Sequence, residues 1–116
     1  MAQIQIKENK VYIKDNEDSW KYIGKKVGDN ILEISRNMWN HRFHLSNSYG
    51  INKDVIDSKQ FEYILLNEFV EDGNWGLKNT YIIPVNELEI MPIYKAKDFE
   101  TQIMINLKAL QSFKTT

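Results

Sequence analysis

Phe61-Glu62-Tyr63-Ile64-Leu65-Leu66-Asn67-Glu68-Phe69-Val70 is the stretch on which the fold turns. It is rich in aromatic and branched residues and holds neither Gly nor Pro, which makes it the strongest strand signal in the chain. The run Glu71 to Gly76 reads as a turn, and Thr80-Tyr81-Ile82-Ile83 as the returning strand. Beyond it, Asn86 with Glu89 three residues on resembles a capping box ahead of Leu88 and Met91, and Pro92 stops that helix. A last strand, Phe99 to Ile105, leads into a short helix carrying Leu107, Leu110 and Phe113.

On the N-terminal side, Gln3-Ile4-Gln5-Ile6-Lys7 alternates with period 2 and Val11-Tyr12-Ile13 resumes after Glu8-Asn9-Lys10. Asn tolerates left-handed backbone, so residues 3–14 read as a β-hairpin. Trp20, Ile23 and Val27 then fall at helical spacing behind the cap-rich cluster Asp15 to Ser19, with Gly28 in the C′ position. Gly24 weakens that predicted helix by about 1 kcal/mol relative to Ala. Ile31 to Ser35 and Arg42 to Leu45 read as strands joined around Asn37-Met38-Trp39-Asn40, and Ser46 to Gly50 as a turn-rich loop. Asn52 caps a short helix bearing Val55 and Ile56. Connections between consecutive strands are mostly too short for a crossover. The expectation is one α+β domain over residues 1–116: a mostly antiparallel sheet of about six strands with short helices on one face.

The chain has 116 residues, 42% of them hydrophobic and 27% charged, which matches a folded globular protein with one core. Fifteen basic residues against sixteen acidic ones give a net charge of −1, unlike a generic phosphate binder. Cysteine is absent, which removes disulfides, thiolate metal sites and cysteine nucleophiles. No apolar run approaches the roughly 18 residues of a membrane span, so a cytoplasmic protein without membrane contact is expected.

Catalytic residue patterns are sparse. His41 and His44 are the only histidines, and their odd separation puts them on opposite faces of a strand, so neither a metal nor another cofactor is expected. Arg42, His44 and Ser46 share one strand face, where they suit an anion or a general base, or simply a solvated edge. Glu100 and Gln102 share another face. Asp57-Ser58-Lys59 has the Asp-x-Lys form of a metal-dependent nuclease, but it sits at a helix end rather than on a strand. Gly-x-Ser-x-Gly and Gly-Lys-Ser/Thr are both missing. Aromatic residues in predicted loops, namely Trp39, Tyr49 and Trp75, suit either caps on the core or anchors for a partner. Six lysines lie within the first 26 residues, interleaved with acidic residues, and Tyr12 and Tyr22 are placed to stack bases beside them.

The run His44-Leu45-Ser46-Asn47-Ser48-Tyr49-Gly50-Ile51-Asn52, with Tyr81-Ile82-Ile83-Pro84-Val85 and Phe99-Glu100-Thr101-Gln102, resembles small accessory proteins encoded by phages and integrative elements of low-GC bacteria. The likeness spans roughly residues 20–110. It implies a bacterial, intracellular setting and a small binder that modulates host or defence machinery, and it carries over no catalytic residue.

The function expected is a non-catalytic module that occupies a surface of a protein or nucleoprotein partner. Trp39, Tyr49 and Trp75 are the expected anchors, with Arg42 and His44 as orienting groups. Two alternatives stay open: a nucleic-acid-processing hydrolase using His44 with Glu100 or Asp57, and a nucleic-acid binder without cleavage. A homodimer follows if the Phe61–Val70 strand is an exposed edge.

Overall fold

The computed structural model describes residues 3–14, 20–37, 48–71, 75–95 and 101–115. The strands are β1 (Gln3–Lys7), β2 (Lys10–Lys14), β3 (Lys21–Val27), β4 (Ile31–Asn37), β5 (Ser48–Asn52), β6 (Tyr63–Glu71), β7 (Trp75–Pro84), β8 (Ile93–Lys95) and β9 (Thr101–Asn106). Among the described residues three short helices punctuate them: α1 (Lys53–Asp57), α2 (Val85–Leu88) and α3 (Leu107–Leu110), the last continuing as a 3₁₀ turn over Gln111–Phe113.

The strands form a six-stranded sheet in the order β1-β2-β3-β4-β6-β7 and a three-stranded sheet in the order β5-β9-β8. Every pairing is antiparallel except β4 with β6. Residues 38–62 supply the crossover that a parallel pair requires, passing through β5 and α1 on the way. The predicted α+β class and mostly antiparallel main sheet therefore stand, with one parallel pair and a second sheet added.

The predicted hairpin forms in register Gln3↔Lys14 through Lys7↔Lys10. Glu8 and Asn9 both have positive φ, 52° and 66°, as a tight two-residue turn between twisted strands requires. The Asn52 cap also forms, its side chain accepting from Val55 N at 3.1 Å.

Residues 21–27 correct the helical reading. They are strand β3, pinned between β2 and β4. Gly24 lies opposite Val11, where a Cβ would come within 2.4 Å of the Glu33 carbonyl oxygen. Spacing at 20, 23 and 27 suits a helix, but Gly24 is there because β4 passes so close. Gly28, expected as a helix C′ residue, instead turns the β3–β4 hairpin at φ 65°. The Ser46–Gly50 loop is corrected as well, since Ser48 to Gly50 belong to β5. The Asn86 capping box does not form: α2 starts at Val85 behind Pro84, and Glu89 is its C-cap.

Alternation explains the core. Val11 and Ile13, Leu32 and Ile34, Ile64 and Leu66, and Tyr81 and Ile83 all face inward from the main sheet. Tyr49, Ile51, Ile103 and Ile105 meet them from the smaller sheet, with Val55, Ile56, Leu88 and Leu110 from the helices. One cluster of apolar side chains joins both sheets. β6 is internal, flanked by β4 and β7, so the predicted route to a homodimer through an exposed Phe61–Val70 edge is closed. β7 carries the C-terminal residues along its outer side, where Thr115 N donates to Thr80 O at 2.9 Å.

Candidate functional site

Three places gather polar chemistry: the core around Glu68, a cavity between the sheets, and the outer face of the six-stranded sheet. Glu68 follows Ile64 and Leu66 at even spacing, so it points inward and is only 2% exposed. A carboxyl group so buried is stable only if hydrogen bonds replace its water. Tyr49 OH donates to Oε2 at 2.6 Å, Asn79 Nδ2 donates to Oε1 at 2.8 Å, and Tyr81 OH makes a longer contact to Oε1 at 3.4 Å. A bulge in β7 puts Asn79 directly opposite Glu68 in the ladder. Tyr49 comes from β5, so its bond ties the smaller sheet to the larger across the core. Burial first, and the Glu68 charge second, push the Tyr81 hydroxyl above its ordinary range. Each of these donors is satisfied within the protein, so the arrangement is a structural lock.

A cavity of about 550 Å³ lies between β3, β4 and β5. Leu32, Ile34, Ile51 and Val55 line its apolar side, and Lys21, Ser35, Asn52 and Gln102 its polar side. These polar residues are engaged in interactions of their own. Gln102 lies across Gly50, where a Cβ would meet its Oε1 at 2.0 Å. Lys25 and Glu33 complete the polar rim.

The outer face of the main sheet differs along its width. At the β4–β7 end the register lines up Val27, Ile31, Tyr63 and Pro84 in one row, with Leu65 beside Ile82 in the next. Val27, Tyr63 and Ile82 are each about two-fifths exposed. At the β1–β3 end the rows are Lys7, Lys10 and Lys25, then Gln5, Tyr12 and Tyr22, then Gln3 and Lys14. The Tyr12 and Tyr22 rings meet edge to face, with centroids 5.8 Å apart. Lys14 Nζ sits 5.8 Å from the centre of the Trp20 ring.

The residues expected from sequence fall as follows. Trp39, Arg42, His44 and Glu100 lie outside the described residues, as does the side chain of Trp75, whose backbone begins β7. Tyr49 is corrected from a loop anchor to a core residue, 2% exposed, because β5 turns its ring inward onto Glu68. Asp57 ends α1 in an ion pair with Lys53, whose ammonium that hydrogen bond holds above its usual range. Lys59, the other half of the Asp-x-Lys triplet, pairs with Glu89 instead. Among the described residues no three His, Asp or Glu side chains converge as a metal site. No helix among them is long and apolar enough to cross a membrane.

Sequence reasoning missed Glu68. The signal was its parity with Ile64 and Leu66, which marks it as an inward residue in a strand otherwise spent on the core. The chain matches no protein-family model, no curated protein and no solved structure.

Proposed function

We propose that this chain is a non-catalytic binding module that occupies a surface of a protein or nucleoprotein partner through the outer face of its six-stranded sheet. One observation carries the reading: the apolar row Val27, Ile31, Tyr63 and Pro84, continued by Leu65 and Ile82, stands on that face with Val27, Tyr63 and Ile82 well exposed. Contiguous apolar surface with polar residues around it is the composition of a docking patch, a dry centre within a wet rim. Asn67 and Thr80 adjoin it as a polar pair. The likeness to phage and integrative-element accessory proteins supports a bacterial cytoplasmic setting, with a host defence or replication component as the partner.

Ile82→Glu tests this. A charge at the β7 end of this apolar patch should abolish binding to the purified partner, identified first by co-purification from the native host. The change lies on an exposed face, so stability should move by no more than about 1 kcal/mol. Undiminished binding by a folded Ile82→Glu variant would show that the row is not the docking surface.

A further inference from the structure

We propose that the β1–β3 end of the outer face binds single-stranded nucleic acid, its lysine row holding the phosphates and its tyrosine row stacking the bases. This rests on the reading that the outer sheet face is where the protein binds, and it assigns a ligand class to the half of that face which the apolar row does not use.

The register brings the parts together. Lys7, Lys10 and Lys25 stand in line across three neighbouring strands, about 4.8 Å from one strand to the next. All three are exposed and make no ion pair among the described residues. Roughly 7 Å away, two residues along β2 and three along β3, where a bulge takes up Ile23, the next row presents Tyr12 and Tyr22. Tyr22 is 48% exposed, so one ring face is open to a base, and Tyr12 supports its ring edge to face. Trp20, 41% exposed, adds a second aromatic surface next to β3.

Charge complementarity favours a polyanion. The chain as a whole is near neutral, yet among the described residues of these rows Glu33, opposite Lys25, is the acidic residue that enters, with Glu8 in the turn between Lys7 and Lys10. The aromatic faces decide between anions, since the carboxylate side chains of an acidic peptide have no ring to stack, whereas every nucleotide carries one. Single strands are favoured over duplex because stacking between neighbouring base pairs hides the base faces. Gln3 and Gln5 both donate and accept, as base edges require.

Fluorescence anisotropy with labelled oligo-dT and oligo-rU of about 12 nucleotides, and a duplex of equal length, tests the inference. Three phosphate contacts predict a log–log salt slope near −2 for a single strand, so affinity should fall roughly 20-fold between about 50 and 200 mM salt. Lys10→Gln with Lys25→Gln should flatten that slope by about 1.4. Tyr22→Ala should weaken binding about 5- to 100-fold while the salt slope stays put. Circular dichroism confirms that each variant is folded, and the lysine pair keeps the test decisive should Tyr22→Ala unfold. Ile82→Glu, on the other half of the face, should leave oligonucleotide affinity within about twofold.

Absence of single-strand binding at the lower salt, tighter binding to duplex, or indifference to the lysine pair overturns the inference. If oligonucleotides fail while Ile82→Glu still releases the purified partner, this inference falls and the docking reading stands. If oligonucleotides fail and the partner also stays bound to Ile82→Glu, both fall.

Discussion

Two pairs of tyrosines sit on opposite sides of this protein's main sheet, and their surroundings give them opposite work. Tyr49 and Tyr81 are buried, and both hydroxyls turn toward the Glu68 carboxyl group. Tyr12 and Tyr22 are on the outer face, ring against ring, beside a row of lysines. Inside, the ring supplies packing and the hydroxyl replaces water around a buried acid. Outside, the hydroxyl has water, so the ring face is what the residue has to offer. The same side chain is thus a fastener in one place and a contact surface in the other, and the difference is whether water is present.

The largest effect should come from Glu68→Ala. It removes the acceptor shared by Tyr49, Asn79 and Tyr81, so each loses a hydrogen bond, two of them in the buried core. A loss of about 3–4 kcal/mol is expected in urea denaturation. A loss under about 1 kcal/mol would mean that the two sheets are not fastened there. The identical change made in each pair sharpens the contrast: Tyr49→Phe should cost about 1.5–3 kcal/mol, and Tyr22→Phe less than about 0.5. Equal costs would erase the distinction between the pairs.

The smallest effect is a pH dependence. Since the folded state holds the Tyr81 proton more tightly than the unfolded chain, the folded chain keeps that proton after the unfolded chain has lost it. This contribution to stability is complete below about pH 10 and declines as pH rises past that value toward the folded one. Thermal midpoints between about pH 9 and 11 should therefore fall less steeply in Tyr81→Phe than in the wild type. Parallel curves would place the alkaline loss elsewhere.

Local chemistry was legible wherever neighbours in the chain decide the outcome. Asn9 marked the first turn, Asn52 capped its helix, and the apolar run from Phe61 announced β6. The early lysines, with Tyr12 and Tyr22 as stacking residues, were also present as candidates, though acidic neighbours in the chain diluted them, and only the β2–β3 pairing brings the two rings together. What failed were readings in which two local patterns compete. Trp20, Ile23 and Val27 satisfy a helix, and only the approach of β4 to Gly24 selects the strand. Tyr49 sits among turn formers, and only pairing with β9 makes that stretch a strand with the ring inward.

By itself the amino-acid sequence determined an α+β chain dominated by antiparallel strands, its first hairpin and the apolar strand β6, because turn chemistry and alternation act over a few residues. The tertiary structure alone decided the parallel β4–β6 pair, the second sheet, the partners of Glu68 and the division of the outer face into an apolar half and a basic aromatic half. Those depend on which strands become neighbours, and strand neighbours are chosen by the burial of a shared core, which no short window of sequence contains.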